Sequence, residues 1–135
     1  MKKYTFLLYL LICFVVIMGC SKNRRLSGTV TFDDGEPVPN GTVIFQTGTF
    51  MARGEIKSDG SYRMSSEGTN DGLPPGEYKV GVQGIFGMPP STSPGQMPLP
   101  ILLCDPKYGD PETSGLTCKI PAPGNTYNIV LERRK

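Results

Sequence analysis

The stretch Leu26-Ser27-Gly28-Thr29-Val30-Thr31-Phe32, closed by Asp33-Asp34-Gly35, decides the fold class of this chain. Leu26, Gly28, Val30 and Phe32 fall on one face of an extended segment and the polar residues on the other, the alternation of a half-buried strand. Asp and Gly then supply the geometry of a tight turn. Tyr78-Lys79-Val80-Gly81-Val82 repeats the pattern with Tyr78, Val80 and Val82 on a shared face. After residue 25 no segment combines a helical period with caps, so the reading is all-β.

Working outward, strands are expected at 26–32, 41–46, 50–57, 61–65, 77–83, 116–120 and 126–132, about seven, the usual count for a small sandwich. Ser58-Asp59-Gly60 marks a hairpin between the third and fourth. In the last strand either Tyr127, Ile129 and Leu131 or Asn128 and Val130 face inward. Gly84 to Ser114 carries seven prolines and four glycines, which leaves little room for a central strand. It reads as one long loop, of a length that is usually functional or disordered. Its Ile85, Phe86, Met88, Met97, Leu99, Ile101, Leu102 and Leu103 imply partial packing onto the sandwich.

Ahead of the domain stand basic Lys2 and Lys3, an apolar run from Phe6 to Met18, and Gly19-Cys20-Ser21. These are the parts of an export signal. The run, about 13 residues, is short of the roughly 20 a spanning helix needs. Ile17, Gly19 and Cys20 resemble the lipobox of bacterial lipoprotein signals, with Met18 larger than the usual residue. That resemblance implies cleavage after residue 19, diacylation of Cys20 and a cell-envelope address; Ser21, in place of aspartate, points to the outer membrane. The alternatives are an ordinary secreted protein or an uncleaved anchor. Residues 20–25 then form a polar tether, and 26–135 the domain.

The 14 basic residues less Lys2 and Lys3 leave 12, against 12 acidic ones. A neutral domain lacks the basic footprint expected of a nucleic-acid binder. About 116 residues suit one domain with a single core. The chain has no histidine, which removes Ser-His-Asp and Cys-His catalysis and the commonest metal ligand. Asp33, Asp34 and Glu36 form the densest acidic cluster. They read as a solvated turn, with a calcium site as the sharper alternative, although EF-hand spacing is missing. Asn40-Gly41-Thr42 is a sequon read as a turn. Cys104 and Cys118 are expected to pair as a disulfide in an oxidising compartment, closing a loop of about 15 residues worth roughly 3 kcal/mol.

Four motifs follow one another at domain-like spacing: Gly28-Thr29-Val30-Thr31-Phe32-Asp33-Asp34-Gly35-Glu36-Pro37-Val38, Gly41-Thr42-Val43-Ile44-Phe45, Ser58-Asp59-Gly60-Ser61-Tyr62, and Leu73-Pro74-Pro75-Gly76-Glu77-Tyr78-Lys79-Val80. With Lys107-Tyr108 and Thr113-Ser114-Gly115-Leu116-Thr117 downstream, the chain resembles the carboxypeptidase regulatory-like domain, in the small lipoproteins of planctomycete-type bacteria. The resemblance spans Leu26 to Leu131 and implies an Ig-like, transthyretin-like β-sandwich without chemistry of its own. The expectation is a non-enzymatic envelope module with no cofactor or metal. It would serve a structural or protein-interaction role through its edge strands and the 84–114 loop, with an envelope protein as partner. The second expectation is a small-ligand or carbohydrate-binding lipoprotein using that loop, for which Phe86 and Tyr108 are its aromatic side chains.

Overall fold

The computed structural model describes residues 22–66, 68 and 71–135, and over these the chain is mostly β. The strands are β1 (Ser27–Phe32), β2 (Thr42–Thr47), β3 (Phe50–Glu55), β4 (Ser61–Arg63), β5 (Gly76–Gln83), β6 (Phe86–Gly87), β7 (Ile101–Leu102), β8 (Leu116–Ile120) and β9 (Ile129–Leu131). Short 3-10 turns occupy Pro106–Gly109 and Pro123–Asn125.

One sheet has the order β4-β1-β9, another β3-β2-β5-β8, and β6 and β7 form a separate ribbon. β1 runs antiparallel to β4, with Gly28 opposite Tyr62, and parallel to β9, with Val30 opposite Ile129 and Phe32 opposite Leu131. The first and last strands are therefore neighbours. In the four-stranded sheet all pairings are antiparallel, with Phe45 opposite both Ala52 and Val80, and Tyr78 opposite Cys118. The Arg53–Ser65 and Ile56–Tyr62 bridges join β3 and β4 along one side.

The two sheets bury one core between them. Val30, Phe32, Tyr62, Ile129 and Leu131 meet Val43, Phe45, Tyr78, Val80, Val82 and Ile120. Each such aliphatic or aromatic side chain contributes about 1.5–3 kcal/mol on burial. Phe45 stands at the centre, its ring 5.9 Å from those of both Tyr78 and Tyr127 at steep angles. In the first strand Leu26, Val30 and Phe32 are buried as the alternation required, and Ile129 and Leu131 face inward while Val130 faces out.

The 84–114 segment departs from the single loop expected. Its prolines at 89, 90, 94, 98 and 100 are confined to the tip, so the Pro-free residues 86–87 and 101–102 are free to pair. Residues 105–114 then fold back across the outer face of the four-stranded sheet. Gly81 makes that approach possible, because a Cβ there would lie 2.9 Å from Pro111 Cδ. Ile44, on the opposite face of β2 from Val43 and Phe45, is buried too.

Candidate functional site

The sandwich has two unlike ends. At one, the chain enters the fold: Arg24 N–H donates to Leu73 O at 2.7 Å and Leu73 N–H donates to Arg24 O at 2.8 Å. Gly72, at φ +80°, lies so close that a Cβ would stand 2.2 Å from Arg24 O. This entry point shares its end with the β2–β3 turn, the Arg63 end of β4 and the 120–127 connection. The signal segment 1–19 and Cys20 lie outside the described residues.

The β6–β7 ribbon projects from the other end, beyond Gln83 and Leu131. Asn40 holds it there: its Nδ2 donates to Phe86 O at 3.0 Å and its Oδ1 accepts from Phe86 N–H at 3.2 Å. The side chain takes the place of a strand partner. Leu103 N–H donates to Ile85 O at 3.0 Å, and Ile85 is fully buried. From Gly84 to Cys104 no residue carries a charge. Met97 and Leu99 are 90% and 82% exposed, and Phe86, Met88 and Ile101 are exposed as well. A strand of six residues is about 20 Å long, which sets the scale of separation between ribbon and entry point.

The folded-back residues 105–114 are anchored by polar contacts. Asp105 caps the turn by accepting from Lys107 N–H at 2.9 Å. Gln83 Nε2 donates to Gly109 O at 2.6 Å, Ser114 Oγ donates to Val80 O, and Lys79 pairs with Glu112. Beside that ion pair, Gln46, Thr117 and Lys119 line an open groove of about 560 Å³ on the sheet face. Tyr108 is buried rather than presented as an aromatic platform.

At the acidic cluster, Arg133 takes up the carboxylates. Its Nε donates to Asp34 Oδ2 at 2.6 Å and its Nη2 to Glu36 Oε2 at 2.5 Å, while its backbone N–H reaches Asp33 Oδ1 at 3.2 Å. The guanidinium, with the Glu36 N–H, holds the Asp34 carboxyl below its ordinary value. Among the described residues no three His, Cys, Asp or Glu side chains are grouped to hold a metal ion.

Cys104 and Cys118 are buried free thiols, which corrects the expected disulfide. Cys104 sits beside Arg133 at the ribbon end, whereas Cys118 lies opposite Tyr78 and close enough to Tyr62 and Tyr127 to perturb their phenols. Tyr127 to Arg133 is six extended residues, about 20 Å, and a disulfide needs Cα atoms within about 7 Å. Burial pushes both thiols up, Asp105 adding to the effect at Cys104.

A second concavity of about 560 Å³ opens at the entry end, lined by Arg25, Leu26, Ser27, Arg63, Met64, Gly124 and Asn125. No sequence motif marks it. Arg25 and Arg63 are far apart along the chain, and the register placing Ser27 opposite Arg63 is what brings them together. Compared with known proteins, the chain matches no family model, no curated protein and no solved structure.

Proposed function

We propose that this chain is a lipid-anchored, non-enzymatic module of the bacterial cell envelope, tethered through Cys20 and built as an Ig-like, transthyretin-like sandwich of seven core strands. Its role is to engage an envelope protein partner through the uncharged ribbon, Phe86 to Ile101. One observation carries this reading: the chain enters at one end of the sandwich and the ribbon projects from the other. A tether at Cys20 would hold the entry end to the lipid and leave the ribbon outermost. Met88, Met97 and Leu99 offer flexible apolar side chains able to fit an irregular partner surface.

Two measurements test it. Cys20→Ala should move the protein to the soluble fraction; retention in membranes after an alkaline carbonate wash overturns the anchor. A photo-crosslinker at residue 97 should give a single protein adduct in intact cells, one that Leu99→Ser abolishes. Recovery of a carbohydrate or small ligand in place of a protein overturns the partner assignment.

A further inference from the structure

We propose that the entry end of the sandwich is a docking face for anionic phospholipid headgroups, with Arg25 and Arg63 as its phosphate-binding pair. Four exposed cations gather there, Lys22, Arg24, Arg25 and Arg63. Among the described residues of that end, from 22–27, 47–50, 63–66, 68, 71–76 and 120–127, the one acid is Asp71. Its carboxylate accepts from Ser66 N–H at 2.7 Å, Ser66 Oγ at 2.9 Å and Gly68 N–H at 2.9 Å. Counting Glu67 of the sequence as well, cations still outnumber acids.

Among the described residues no ion pair engages the cations of this end. The four ion pairs among the described residues engage Lys79, Lys107 and Arg133, all on other surfaces. Arg25 and Arg63 share one concavity, into which Asn125 also faces. A guanidinium is planar, always charged and forked to match a phosphate, and two flanking one hollow can hold a headgroup from both sides. Each basic residue near an anionic leaflet adds about 1 kcal/mol, or about fivefold in affinity.

The occupant follows from where the chain comes from. Only Lys22 and Asn23 separate Arg24, fixed to Leu73, from the residues that precede the described chain. A lipid on Cys20 would therefore bring this end against the bilayer. The inference rests on the envelope reading for its cellular setting, although the charge and the geometry stand without it. Contact would also orient the domain, ribbon outward, as a flexible tether alone would not.

The test uses residues 22–135 without lipid. Among the described residues this segment holds both larger sheets and the core packed between them, so it carries its own fold. It should co-sediment with phosphatidylcholine vesicles containing about a third phosphatidylglycerol, at least about 25-fold more than with phosphatidylcholine alone. Raising salt from about 0.05 to 0.5 M should abolish the difference. Arg25→Glu with Arg63→Glu should lower binding by at least about 25-fold with an unchanged Tm, since both side chains are exposed. Equal sedimentation with the two vesicle types, or unaltered binding by the double variant, overturns the proposal. So does release from vesicles by millimolar inorganic phosphate at matched ionic strength, which would make free phosphate the ligand. Failure of the envelope reading is separately visible, because it appears as no acyl label on Cys20 of the full chain, while the vesicle result stands unchanged.

Discussion

The Tyr62 phenol donates a 2.5 Å hydrogen bond to the carbonyl oxygen of Tyr127, reaching from β4 to the approach of β9 across Gly28 of β1. Tyr62 is 1% exposed, so the carbonyl it satisfies has little access to water on that side. Tyr62→Phe keeps the ring and removes the donor. It should cost about 1–3 kcal/mol, the penalty for a buried polar group left unpaired. Urea unfolding of the two proteins measures this directly; equal midpoints would show that water replaces the phenol.

Gly28 is the second test of the same crossing. A Cβ there would stand 1.9 Å from Tyr127 O and 2.9 Å from Tyr62 Cε1, neither of which can yield without breaking the pairing on both sides. Gly28→Ala should destabilise by about 3 kcal/mol, the upper range for overpacking. Gly35→Ala is the contrast: φ is +88° but nothing lies within 4 Å, so the cost is the left-handed backbone alone, about 1–2 kcal/mol. Thermal melts should rank them in that order.

Stability should be level through neutral pH and fall in alkali. Burial raises the phenols of Tyr62, Tyr78 and Tyr127 above 10.0 and the thiols of Cys104 and Cys118 above 9.0. A raised folded pKa means that the folded state holds its proton more tightly, so the contribution is complete below the unfolded value and is lost as pH climbs through the folded one. The decline should start near pH 9, and tyrosinate absorbance should appear for the buried rings only as the protein unfolds. Tyr62→Phe should make the decline shallower.

The two core thiols should resist alkylation in the native protein and react fully in denaturant. Reductant should leave the Tm unchanged, because no covalent link closes the 104–118 segment. Mass spectrometry of alkylated peptides settles it. A disulfide-bonded 104–118 pair would require the two ends of the sandwich to meet.

What the sequence made legible is what local chemistry controls. Alternation placed β1 and β5, and Ser58-Asp59-Gly60 placed the turn from β3 to β4, because strand period and turn geometry are set by neighbours in the chain; β3 and β4 themselves lie in different sheets, joined by isolated bridges. The parallel pairing of Val30 with Ile129 was hidden, since it joins residues 99 apart. The ribbon was hidden for a related reason: its two paired residues on each side are outnumbered by the prolines between them. Arg133 across Asp34 and Glu36, and Arg25 beside Arg63, depend on long-range register and have no sequence signature.

The parallel neighbouring of β1 and β9 also has a consequence in time. Ser27–Phe32 is made well before Ile129–Leu131, so the three-stranded sheet cannot close until everything between them has been synthesised. Contacts so distant in sequence slow folding. The first strand therefore waits, unpaired on one side, for a partner made 99 residues after it.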